Sequence, residues 1–180
     1  MKERLAKLIK ERSLKIGDFI LASGKRSNYY IDARIITLDP EGAELISELF
    51  LQEIYRHQEV GAIGGMSLGA DPIVSSIVLK SYQKGKPIPG FLVRKKEKEH
   101  GMGKRIEGNI EPGWKVVIVD DVVTSGGSLL EAAKAAEEAG ARVVLTMAVV
   151  DREEGGAKRI KEKYPFFSIF KISELMEGKR

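Results

Sequence analysis

The chain has 180 residues, 43% of them hydrophobic and 31% charged, which suits one folded domain with a core and a solvated surface and excludes a disordered chain. Cysteine is absent, so a disulfide framework, a cysteine nucleophile and a thiolate metal site are excluded, and a reducing, cytoplasmic compartment is expected. Thirty basic against twenty-six acidic side chains leave a net charge of +4, too small an excess to argue for a nucleic-acid partner.

Met1-Lys2-Glu3-Arg4-Leu5 is too charged for a signal peptide. Leu5, Leu8 and Ile9 then share one face of a helix predicted over residues 3–12. Strand-like pieces at 17–21 and 29–33 flank the turn-prone run from Ser23 to Asn28. Asp39-Pro40-Glu41 marks a helix start, because Asp caps free amides and Pro fits the first helical position. Leu45, Ile46, Leu49 and Phe50 continue that helix at the right spacing.

Strands and helices alternate from there. Strands are predicted at 60–64, 91–93, 116–119, 143–150 and 166–169, and helices at about 71–82, 127–139 and 157–163, with Gly140 ending the second of these. The apolar stretch from Val60 to Leu79 is broken by Asp71, Pro72 and four glycines, so it does not read as a membrane span. Strands apolar on both faces and alternating with helices indicate an α/β fold with a mainly parallel central sheet flanked by helices. In such sheets ligands bind beyond the carboxyl ends of the strands.

Two segments at those ends carry chemistry. After strand 116–119 comes Asp120-Asp121-Val122-Val123-Thr124-Ser125-Gly126-Gly127-Ser128, followed by a helix. Paired carboxylates can accept hydrogen bonds from vicinal hydroxyls or face a hydrated Mg²⁺ ion. The glycines let backbone approach an anion, the hydroxyls can donate to it, and the helix start adds amides and a positive dipole end. A sugar phosphate with free hydroxyls satisfies both halves, whereas the plainer alternative is a strand–turn–helix joint with ordinary caps. The second segment, Arg94 to Glu107, holds six cations and three carboxylates among glycines. It suits a cationic lid for a departing diphosphate, or else a solvated charged loop. His57 reads as a surface residue at a helix end, and Trp114 as packing at the base of a strand.

The run from Val116 to Ser128 resembles the phosphoribosyl-diphosphate (PRPP) signature of type I phosphoribosyltransferases. Arg94-Lys95-Lys96-Glu97-Lys98-Glu99-His100-Gly101-Met102-Gly103, with Ile106-Glu107-Gly108 after it, is similar to the catalytic loop of the orotate phosphoribosyltransferase family, and the resemblance implies that Asp120 and Asp121 are catalytic along with Lys98 and His100. Phe19 to Asp32 resembles that family's N-terminal hood. The resemblance implies a single type I phosphoribosyltransferase domain, with a hood over about residues 1–38 and a core over about 39–180. It implies transfer of a phosphoribosyl group from PRPP to orotate with Mg²⁺ held mainly by the substrate, and no dedicated metal cage. Asp120 and Asp121 would hold the ribose hydroxyls, and Val122, Val123, Thr124, Ser125, Gly126, Gly127 and Ser128 the 5′-phosphate. Arg94, Lys95, Lys98 and His100 would contact the diphosphate, with Lys98 and His100 catalytic and acting across a homodimer interface. Thr124 and Arg152 would contact orotate. Two departures stand out: Ala22 occupies a position where many bacterial members carry Lys, so Lys25 is expected to supply that charge near orotate. Met66-Ser67-Leu68-Gly69 replaces an aromatic–Lys loop, leaving Ser67 a hydroxyl or backbone amides to offer. A transferase for another base, a PRPP-sensing nucleic-acid regulator and a structural α/β domain are the alternatives. The hood and lid sequences weigh against the first, and the absence of a helix-turn-helix segment against the second.

Overall fold

The computed structural model describes residues 1–20, 24, 26–57, 59–95 and 105–177. Helix α1 (Lys2–Leu8) runs into a π-helical turn, Ile9–Ser13, and then into an antiparallel ribbon, β1 (Leu14–Ile20) and β2 (Arg26–Ile31). A short α2 (Arg34–Thr37) leads to α3 (Pro40–Ile54). Asp39 caps α3 as the sequence predicts, accepting from the amides of Glu41 at 3.1 Å and Gly42 at 3.0 Å. Those amides, with Arg12 beside the carboxyl, hold Asp39 below its ordinary pKa.

The remaining elements build one six-stranded sheet: β3 (Ala62–Met66), α4 (Asp71–Gln83), β4 (Gly90–Val93), β5 (Ile106–Gly108), β6 (Lys115–Val123), α5 (Gly127–Glu138), β7 (Arg142–Asp151), α6 (Gly156–Lys161), β8 (Phe166–Lys171) and α7 (Ile172–Met176). Strand order is β5-β4-β3-β6-β7-β8, and every neighbouring pair is parallel except β4 with β5. The mainly parallel sheet of the sequence analysis is therefore present. Alternation along β6 divides the core. Val117 and Val119 join α1, α3, α4 and α7 on one face, while Val116 and Ile118 join α5 and α6 on the other. Gly140, with φ +86°, follows α5 as predicted, and the Trp114 ring packs against Gly61 at the base of the sheet. Among the described residues no helix is long and apolar enough to cross a membrane.

Several boundaries differ from the sequence reading. The hood strands start earlier than expected at 17–21 and 29–33, since pairing of Leu14 with Ile31 and Ile20 with Arg26 extends the ribbon across part of the predicted turn. The Asp pair does not follow its strand but lies inside it. β6 continues to Val123 because its pairing with β7 runs on through Val123 and Asp151, and tertiary pairing overrides the low strand propensity of Asp. The charged run expected as one loop up to Glu107 closes earlier, with Ile106 and Glu107 in β5 opposite Val93 and Leu92.

Gly64 on β3 lies opposite Phe91 on β4, and the fully buried Phe91 ring fills the space a side chain at Gly64 would take. Replacing Phe91 with Ala empties that space without a neighbour able to fill it. The expected cost is about 3–5 kcal/mol, measurable as a lowered urea midpoint with an unchanged slope.

Candidate active site

The chain turns around in the middle of its sheet. From β3 it builds outward to β4 and β5, then returns to place β6 against the other side of β3. The connections leaving the carboxyl ends of β3 and β6 therefore diverge and leave a crevice between them. A cavity of about 400 Å³ occupies it, walled by the β3–α4 loop, the end of β6, the start of α5, Arg152 after β7 and the hood residues Tyr30 to Arg34.

Asp120 and Asp121 form part of the cavity wall. Asp120 is 7% exposed, and its Oδ1 accepts the Asp121 amide at 2.9 Å, while Asp121 accepts the Val122 amide at 2.7 Å. Burial, and then the neighbouring Asp121 charge, push the Asp120 carboxyl up to about 8. Space beside the pair is tight: a Cβ on Gly69 would lie 2.9 Å from Asp120 Oδ1 and 3.0 Å from Asp121 Oδ1, so the β3–α4 loop rests on both carboxyls.

Beyond Val123 the chain turns through Thr124, Ser125 and Gly126 into α5. Gly126 has φ +76°, a backbone conformation that L side chains rarely adopt, and it packs against Ile160 and Gly156. Two backbone bonds fix the turn to the next crossover, from the Arg152 amide to Val123 O at 2.9 Å and from the Gly156 amide to Thr124 O at 3.0 Å. Among the described residues no side chain caps the start of α5. Of its first turn Ser128 lines the cavity, with the positive end of a twelve-residue helix behind it, whereas Gly126 and Gly127 do not line it.

Arg152 extends from the end of β7 with its side chain 9% exposed. Its Nε donates to the Tyr29 hydroxyl at 3.0 Å and lies 2.9 Å from Glu154 Oε1, while the guanidinium sits 4.8 Å from the Tyr29 ring centroid. Nη2 is buried with no hydrogen-bond partner. Burial raises the Tyr29 pKa more than the Arg152 hydrogen bond lowers it, so the phenol stays neutral.

The structure brings together Lys95, Asp120, Asp121, Val122, Thr124, Ser128 and Arg152 of the residues expected from sequence. The Val123 side chain is in the core, leaving only its backbone to the site, and Ser125 is exposed. Arg94 does not line the cavity; one residue past β4, its amide donates to Arg105 O at 2.9 Å and its guanidinium lies 3.1 Å from Glu107, which is paired with Leu92. Ser67 is engaged within the protein, its hydroxyl donating to Asp71 Oδ1 and its amide to Val93 O, both at 2.9 Å. Ala22, Lys25, Lys98 and His100 lie outside the described residues. Tyr29, Tyr30, Asp32, Arg34 and Glu154 were not assigned roles from sequence. The alternating burial of β2, with Tyr29 and Ile31 inward and Tyr30 outward, is the signal that separates the two tyrosines.

A larger recess of about 740 Å³ lies between α4, β4 and β5, lined mainly by apolar side chains such as Val78, Leu79 and Phe91. None of its lining residues is a cation, so it does not suit phosphate.

Comparison with known proteins gives concordant results. Residues 43–178 match the phosphoribosyl transferase domain family. The chain is 49% identical over 179 residues to orotate phosphoribosyltransferase of Aquifex aeolicus, covering 97% of each protein. It is similar to the crystal structure of Mycobacterium tuberculosis orotate phosphoribosyltransferase in complex with Fe(III) dicitrate, with a TM-score of 0.84, 36% identity, and coverage of 97% of this chain and 98% of that one. A structure of the same enzyme in complex with PRPP gives a TM-score of 0.80 at 33% identity, covering 97% and 98%.

The raised Asp120 pKa predicts a pH-dependent stability. An Asp in the unfolded chain ionises near 3.9, whereas the folded carboxyl keeps its proton to about 8. Between those values the folded state binds more protons, so the stability contribution falls as pH rises. Asp120→Asn removes this titration. Urea denaturation at pH 5, 7 and 9 is expected to show the variant gaining on the wild type as pH rises; parallel curves would refute the assignment.

Proposed function

The chain belongs to the orotate phosphoribosyltransferase family, and from that membership we propose that the cavity between β3 and β6 transfers the 5-phosphoribosyl group of PRPP to orotate in pyrimidine biosynthesis. The products are orotidine 5′-phosphate and pyrophosphate. One observation carries the assignment: paired carboxylates, an uncapped helix start and a buried guanidinium with an unpartnered nitrogen surround a single cavity. A sugar bearing a phosphate and a diphosphate as well as vicinal hydroxyls, and a planar carboxylate-bearing base, together match these three features.

In this reading Thr124 to Ser128 and the first amides of α5 hold the 5′-phosphate, and Asp120 and Asp121 accept the ribose hydroxyls. Arg152 and Thr124 orient orotate, so its ring nitrogen faces the anomeric carbon. The bond from that carbon to the diphosphate breaks as the bond to nitrogen forms, the diphosphate leaving with the electron pair and the orotate N–H proton passing to it or to water. The β1–β2 ribbon acts as a hood over the base, with Lys25 supplying charge there. Lys95 lines the cavity and takes the diphosphate with Lys98 and His100, which act from the neighbouring subunit of a homodimer; Arg94 steadies the foot of that loop through Glu107.

Mg²⁺ fits this site as an ion that takes one or two carboxylates and fills its shell from substrate oxygens and water. Asp120 and Asp121 are the residues that would face it, and when bound with PRPP it offsets the diphosphate charge. Their proximity to each other disfavours two negative charges, and a nearby cation relieves that. The enzyme is proposed to work in the cytoplasm.

Loss of orotate absorbance tests the assignment. The wild type is expected to consume orotate only when PRPP and Mg²⁺ are both added. Lys98→Ala is expected to lower kcat by about 10²–10³. Orotate left untouched while PRPP still binds would point to another base; turnover without PRPP would exclude the reaction.

A further inference from the structure

Arg152 is held on one side and open on the other. Nε carries every hydrogen bond and ion pair it makes among the described residues, to the Tyr29 hydroxyl and beside Glu154, and the Tyr29 ring lies against the guanidinium plane. Both Nη nitrogens are left without a hydrogen bond there, and Nη2 is buried. An arginine side chain has a flexible three-methylene stem and five donors, so nothing local fixes which edge it presents. Glu154 alone is a poor guide: its side chain is 32% exposed, and a pair formed only with it would draw the guanidinium toward solvent. Tyr29 is different. It is 9% exposed, its ring lies in the core beside Ile31, and its strand is pinned by pairing with Ile16.

We propose that Tyr29 is a positioning residue that turns the Arg152 guanidinium so that its two Nη donors receive the carboxylate of the acceptor base. This rests on Arg152 being the carboxylate anchor of the proposed reaction. The hydroxyl fixes the Nε edge and the ring fixes the plane, and together they leave only the Nη edge for a ligand. A buried cationic donor without an acceptor is costly, and a planar carboxylate offers two oxygens at the spacing a guanidinium fork presents. The bond spans 123 positions of sequence, so it also ties the hood ribbon to the end of β7.

Tyr29→Phe tests this while keeping the ring and its packing. With PRPP and Mg²⁺ saturating, the variant is expected to raise KM for orotate about tenfold. kcat and KM for PRPP should stay within about twofold, because only binding of the base is lost. The same substitution made in an Arg152→Ala background is expected to add nothing, since the residue it positions is gone. Three results would overturn the proposal: an unchanged KM for orotate in Tyr29→Phe, equal losses toward orotate and PRPP, or a full additional loss in the Arg152→Ala background. If Arg152→Ala itself leaves KM for orotate unchanged, Arg152 is not the anchor and the proposal falls with that role. If Arg152→Ala raises it and Tyr29→Phe does not, only the positioning role fails.

Discussion

Placing β6 against β3, after the chain has already built β4 and β5 on the other side, is the constraint from which the site follows. Parallel pairing sends all these strands out through the same edge of the sheet, and the reversal of direction keeps their outgoing connections apart. The pairing is enforced by burial: Ile63, Val117 and Ile118 are fully enclosed, and a strand shifted by one residue would move each to the wrong face. Everything polar in the cavity is carried at the ends of this packed layer. The Asp pair is therefore held by strand geometry instead of loop geometry, and the turn after it is bonded to the next crossover through Arg152 and Gly156.

That rigidity has an electrostatic consequence. Two adjacent carboxyls in a site proposed to take an anionic sugar look contradictory, but in the proposed reading both meet its hydroxyls and not its phosphates. Burial and mutual repulsion keep Asp120 protonated in the free protein well above the ordinary carboxyl range. Cations lie around it and not on it: Lys95 on one wall, Arg152 on another, and the helix dipole of α5 at the far end. The proposed ligand bears phosphate at one end, hydroxyls in the middle and diphosphate at the other, and the proposal assigns each group one of these partners. The apolar recess beside α4 offers none of these, although it is larger.

Much of this was legible in the sequence, and the misses share a cause. Local signals located their elements well: Asp39 and Pro40 started α3, Gly140 followed α5, and the glycines after β6 marked the turn into α5. Elements set by distant pairing were missed or misplaced. β6 runs through two aspartates because β7 runs beside it, β5 has three residues and exists only as a partner of β4, and α7 is a five-residue helix. Short elements carry too little periodicity to be read from sequence. The same holds within the site. Asp120, Asp121 and Thr124 are neighbours in the chain and were found together, whereas Tyr29 meets Arg152 only after the ribbon folds over the sheet. Arg94 stands one residue past β4, where its guanidinium meets Glu107 outside the cavity lining.

The central claim is that the turn leaving β6 and the first amides of α5 hold a phosphate. Titrating ¹⁵N-labelled protein with ribose 5-phosphate and following amide shifts addresses it directly, because those amides are the proposed ligands. The account predicts the largest saturating shifts at Thr124, Gly126, Gly127 and Ser128. Shifts absent from this turn, or concentrated around the recess beside α4, would contradict it.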